Sequence, residues 1–209
     1  MKNWLLVPKE MLSMEQVTID KINHKKIMFC GSSCTGKTTL LNAMKKDLLF
    51  KDWTYFENVV RNLHKEGREI CEKSSSETQT MIFDRYYDIL REMDKGLSIS
   101  DRSIIDVAAF TSVLQEQLPI GDEDYYKMCL TMEHQLQEIS CKVKDLSLVV
   151  YTPIEFPVED DGERLVDNLL RDKFDQKILE ILFKNKISYL RVSGSVEERL
   201  SQIKKVVFS

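Results

Sequence analysis

Two hydrophobic periods alternate along the chain. Short apolar runs fall at 27–30, 53–56, 97–100, 146–151 and 187–192, bounded by Gly or polar residues as buried strands are. Longer stretches between them repeat their apolar residues at helical spacing. These are 40–49, the Val59/Val60/Leu63 segment, 74–93 with Ile82, Tyr86, Ile89, Leu90 and Met93 on one face, 103–117, 122–142, 165–184 and 195–207. The last opens on Ser195 and Glu198, the spacing of a capping box. Strands alternating with helices predict an α/β protein whose parallel sheet is covered on both faces. In such sheets ligands bind beyond the carboxyl ends of the strands. The residues to inspect are therefore 31–38, Glu57, Asp101 with Arg102, 153–164 and Ser193-Gly194.

Composition narrows this picture. The 209 residues are 43% apolar and 31% charged, with seven Gly and four Pro, which excludes collagen-like, low-complexity and disordered classes. One domain of this size buries roughly 70% of its unfolded surface, without disulfide or metal staples. We expect an arm at residues 1–26 and a single domain at 27–209. A net charge of −4 disfavours a surface that coats nucleic acid. Five cysteines with no C-x-x-C pair suggest reduced thiols in a cytoplasm. The apolar run Trp4–Val7 is too short for a signal core or a membrane span.

The most specific signal is Gly31-Ser32-Ser33-Cys34-Thr35-Gly36-Lys37-Thr38, which fits G-x-x-x-x-G-K-[ST] and is followed by Thr39. Glycines permit a turn that aims successive backbone N–H groups at phosphate oxygens, and the next helix adds its positive end. The segment follows an apolar run and opens a helix, the context the motif requires. It predicts a nucleoside triphosphate site in which Lys37 reaches the β- and γ-phosphates and Thr38 ligates Mg²⁺. Cys34 is read as a small tolerated residue rather than a redox switch.

Carboxylates complete the chemistry. Asp101, at a strand end beside this loop, suits a second magnesium ligand or, alternatively, the N-cap of the helix that follows. Glu57 ends another strand. It suits a general base that accepts the proton of an attacking hydroxyl; the plainer reading is an i,i+4 ion pair with Arg61, which could also hold the acceptor. Arg164 and Arg171 are seven residues apart and share a helical face. They suit neutralisation of phosphoryl charge or form an ordinary charged face. Gln79 offers an amide that could read a base edge, or is a polar helix residue. The three histidines have no partner spacing.

These residues together resemble the P-loop kinase group that contains ribosylnicotinamide kinase and the deoxynucleoside kinases. The resemblance rests on the phosphate loop, Phe56–Arg61, Ile99–Asp106, Asp161–Arg164 with Arg171, and the tail Val192–Leu200. It implies a P-loop NTPase fold with a five-stranded parallel sheet. It also implies transfer of phosphate from ATP, with Mg²⁺, to a hydroxyl or phosphate of a nucleoside-like acceptor. In that resemblance Asp101-Arg102-Ser103 stands where the kinases' acidic-Arg-Ser motif contacts sugar and phosphate, with an Asp in place of their Glu. Glu57 matches their base and Gln79 their base-reading Gln. Two other activities compete: phosphorylation of a hydroxyl on a modified DNA base, and a nucleotide-dependent switch that hydrolyses slowly.

Overall fold

The computed structural model describes residues 24–117, 123–157 and 168–208. Five parallel strands form one sheet in the order β2-β3-β1-β4-β5: β1 (Lys26–Cys30), β2 (Thr54–Phe56), β3 (Ser98–Ser100), β4 (Ser147–Tyr151) and β5 (Tyr189–Arg191). The register pairs Ile27 with Ile99 on one side and with Leu148 on the other, so β1 is central. The helices are α1 (Lys37–Lys46), α2 (Val59–Lys65), α3 (Ser76–Glu92), α4 (Ile104–Gln117), α5 (Glu123–Leu146), α6 (Asn168–Lys184) and α7 (Val196–Val207). This is the P-loop NTPase architecture the sequence predicted. No helix among the described residues is long and apolar enough to cross a membrane.

The continuous apolar runs arise because both sheet faces are covered. Ile27 and Phe29 of β1, with Leu148 and Val150 of β4, face a core completed by Leu40, Leu41 and Met44 of α1 and Ile203 of α7. Met28, Cys30, Val149 and Tyr151 face the opposite core, built on α3, α4, α5 and α6. Each residue of β1 and β4 is thus buried whichever way it points.

Element ends differ from expectation where turn chemistry intervenes. The first helix opens at Lys37, because the loop delivers it directly from Gly36 at φ +83°, and it ends at Lys46, before the turn of 47–50. Ile187 is buried yet precedes β5. Lys186 adopts φ +52° and Ile187 N–H donates to Leu182 O, the bond that closes a helix C-terminus. The capping box at the start of α7 is present as expected, with Ser195 and Glu198 each bonded to the other's backbone. Residues 1–23 of the expected arm lie outside the described residues.

Candidate active site

The phosphate loop emerges from β1 at the centre of the sheet and leads into α1. Gly31 lies against β4: a Cβ here would come within 2.5 Å of the Thr152 carbonyl oxygen, so no side chain fits. Gly36 and Cys34 also take positive φ, +83° and +53°. The start of α1 has no side-chain cap and no acidic residue in its first turn, which leaves its positive end suited to an anion. Thr38 and Thr39 are exposed there. Lys37 is buried; its Nζ donates to Gly31 O at 2.6 Å, to Thr35 Oγ1 at 3.0 Å and to Ser32 O. Burial pushes this ammonium down to about 7, with the charge of Arg102 adding to the effect and that of Asp106 opposing it.

Three buried charged side chains hold the loop from outside. Arg171 on α6 donates from Nε to Ser33 O at 2.9 Å and from Nη2 to Cys34 O at 3.1 Å, while Ser32 Oγ donates back to Arg171 O at 2.9 Å. Arg199 on α7 donates to Thr35 O at 2.7 Å, to Gly194 O at 3.0 Å and to Glu155 Oε2 at 2.5 Å, with Phe156 stacked beside its guanidinium. Asp106 on α4 accepts Gly31 N–H at 3.0 Å. Behind the loop, Thr152 Oγ1 meets Thr35 Oγ1 at 2.9 Å, and Tyr151 OH donates to Asp175 Oδ2 at 2.6 Å. Burial raises the Asp175 carboxyl above its ordinary range.

The second cluster forms where β2 and β3 end side by side. Asp101 N–H donates to Phe56 O at 3.0 Å, and the Asp101 carboxylate accepts Asn58 N–H at 3.1 Å and Tyr86 OH at 3.4 Å. Burial raises the Asp101 pKa, partly offset by the neighbouring Arg102 charge, while Glu57 adds to the rise. Glu57 forms an ion pair with Lys45 of α1, which ties this corner to the loop's own helix. Arg102 lies 3.8 Å from the Asp106 carboxylate.

The structure therefore gathers Lys37, Thr38, Glu57, Asp101 and Arg102 at the strand ends, as the sequence suggested. It revises other expectations. The cap of α4 is Ser103, whose N–H and Oγ–H both go to Asp106 Oδ2 at 2.9 and 2.6 Å, so Asp101 is not needed as a cap. Gln79 is buried in the helical core. Its amide nitrogen donates to Ser74 Oγ at 2.8 Å and its oxygen accepts from Thr111 Oγ1 at 3.0 Å, so both ends are taken up internally. Arg171 is buried against the loop, with its guanidinium bonded to loop carbonyls, and Arg61 is exposed on α2. Arg164 lies outside the described residues. Sequence reasoning missed Asp106, Thr152, Asp175 and Arg199. Asp106 alone left a readable trace, the Ser-x-x-Asp spacing of a helix cap; the others meet the loop only through the fold.

A family model described as AAA domain matches residues 26–199. The chain belongs to this family. A search of the curated proteins gave no match. Among solved structures, the chain resembles the NadR protein in complex with NAD and AMP-PNP (TM-score 0.67, 14% identity, 90% of this chain and 50% of that one). It also resembles deoxyadenosine kinase from M. mycoides with product dCMP and a flexible dCDP bound (TM-score 0.61, 16% identity, 88% and 98%). A third is the YorR protein from Bacillus subtilis in complex with phosphorylated GDP (TM-score 0.53, 14% identity, 88% and 95%). The chain spans about half the length of the NadR chain. The fold expected from the sequence resemblance is thus the fold these proteins share.

Proposed function

We propose that this chain is an ATP-dependent phosphotransferase that moves the γ-phosphate to a hydroxyl, or a phosphate, of a nucleoside-like acceptor. The observation that carries the reading is the pairing of two clusters at adjoining strand ends: the braced phosphate loop with its buried Lys37, and the Glu57–Asp101–Arg102 corner. A kinase uses the second to hold and deprotonate its acceptor. The resemblance to proteins solved with AMP-PNP and with dCMP supports the same assignment.

Residues 31–39 hold the triphosphate, with Lys37 turning from its loop carbonyls to phosphate oxygens. The donor set fits a magnesium nucleotide: the exposed Thr38 hydroxyl at the mouth of α1 and the Asp101 carboxylate at the tip of β3 would offer it hard oxygen ligands. Magnesium supplies charge neutralisation between the phosphates when bound. Glu57 orients the acceptor hydroxyl and takes its proton, and the ion pair with Lys45 keeps that carboxylate aimed. Arg102 and Arg61 hold the acceptor, and Arg171 acts by shaping the loop. Gln79 is assigned no part in base reading, because both ends of its amide are occupied.

The test is mass spectrometry of products formed from Mg-ATP with a panel of nucleosides, nucleotides, ribosylnicotinamide and oligonucleotides carrying hydroxymethylated bases. A phosphorylated small molecule is expected. A phosphorylated oligonucleotide would reassign the acceptor, and slow ATP hydrolysis that no acceptor accelerates would replace the kinase with a switch.

A further inference from the structure

Asp106 is a buried carboxylate with two separate duties, and the mechanism above uses neither. Its Oδ2 closes the cap of α4 through Ser103 N–H and Oγ–H. Its Oδ1 faces out of that cap, takes the Gly31 N–H at 3.0 Å and lies 3.8 Å from Arg102 Nη1. Gly31 is the first residue of the phosphate loop. Its N–H is held by Asp106, its carbonyl by Lys37 at 2.6 Å, and Thr152 leaves no room for a side chain at this position. One oxygen thus touches the donor loop and an acceptor-side arginine at once. A helix cap alone needs neither contact, and Asp106 is the carboxylate whose charge acts on both Lys37 and Arg102, so a neutral residue would remove the counter-charge those two cations share.

We infer that Asp106 is a positioning residue that sets the phosphate loop and Arg102 in fixed register, so that the donor phosphoryl group and the acceptor oxygen meet in line. This rests on the phosphotransferase reading above. Alignment of this kind acts on kcat, because small displacements of reacting groups cost rate steeply, and the Gly31 bond acts on nucleotide affinity.

Asp106→Glu separates positioning from capping. Glutamate is the ordinary partner in a Ser-x-x-Glu capping box, so the cap survives, but one added methylene moves the carboxylate out of register with Gly31 and Arg102. Phe50→Leu, in the core beyond the far end of α1, serves as a stability-matched comparison. We expect Asp106→Glu to weaken Mg-ATP binding about tenfold by calorimetry and to lower kcat about 10–100-fold, the scale of a lost charge-assisted hydrogen bond. Phe50→Leu should change neither at a similar melting temperature. Asp106→Asn should follow Asp106→Glu, because an amide turned to satisfy Ser103 presents its NH₂ to the Gly31 N–H. Parent-like Mg-ATP affinity in a folded Asp106→Glu, or equal losses in Phe50→Leu, would overturn the proposal and leave Asp106 a helix cap. If the parent binds Mg-ATP yet phosphorylates no acceptor, the kinase reading fails while the affinity comparison still decides the role of Asp106.

Discussion

Around the phosphate loop the charged side chains are buried and committed: Lys37, Asp106, Arg171 and Arg199 are each between 2% and 7% exposed and hydrogen-bonded to the loop itself or to its brace. At the β2–β3 corner the charges are more open. The Glu57–Lys45 side chains are 19% and 37% exposed, Arg102 is 31% exposed, and Arg61 stands on the outer face of α2. In the proposed function the loop serves a ligand of one fixed shape, the triphosphate, so backbone donors held rigidly in advance lose little when it binds. In the same proposal the corner serves the acceptor, where fit depends on side chains at element ends. Burial also makes the loop's arginine braces costly to alter, whereas an exposed pair such as Glu57–Lys45 contributes only about 0–1 kcal/mol to stability.

Mutation should break this contrast in order. Lys37→Ala is expected to have the largest effect, lowering kcat about 10²–10³-fold or beyond detection in a turnover assay. Its melting temperature should hold or rise, because the buried ammonium is itself costly. Parent-like turnover would remove the phosphate-loop assignment. Glu57→Gln keeps shape but cannot take a proton. It should lower kcat by about 10²–10⁴ with ATP affinity nearly unchanged and a stability loss of about 1 kcal/mol or less. A fall in melting temperature with unaltered kcat would leave Glu57 a surface ion pair. Arg171→Lys should raise the KM for ATP about tenfold and lower Tm by about 3–8 °C, because an ammonium cannot reproduce both bonds to the loop carbonyls. A lowered Tm with unchanged KM would confine Arg171 to the core.

The smallest effect is a pH dependence. The folded Lys37 titrates at about 7, whereas the unfolded residue titrates near ~10.4. Between those values the unfolded chain holds the proton that the folded chain has released, so stability rises with pH across that window. Bound phosphates restore the charge, so ATP binding at pH 8.5 should take up close to one proton, and affinity should fall up to about tenfold per pH unit. Calorimetry in two buffers of different ionisation enthalpy reads the uptake directly. Zero uptake would mean that Lys37 stays charged without nucleotide.

Much of the architecture was legible along the chain. All five strands and the principal helices lie where the two hydrophobic periods placed them, because burial on both sheet faces writes apolar runs and amphipathic faces into local sequence. Boundaries slipped at 37–46 and 187–192, where positive φ at Gly36 and Lys186 redirected the backbone. The site was half legible. Lys37 and Thr38 belong to one contiguous motif, and Glu57 and Asp101 are candidates by their positions at strand ends. Gln79 shows where that reasoning stops, since a polar residue on a helix can face a ligand or a buried hydroxyl with the same sequence around it.

Sequence by itself determined the alternating α/β plan and the phosphate loop, because both depend on residues within a few positions of one another. Tertiary structure alone decided what braces that loop. Gly31 meets Asp106 across 75 positions, Cys34 meets Arg171 across 137, and Thr35 meets Arg199 across 164. No local pattern records such pairs, since each forms only when the sheet order β2-β3-β1-β4-β5 brings α4, α6 and α7 around the end of β1. Once there, burial forces every charged group to find a partner, and the loop's own backbone is the partner within reach.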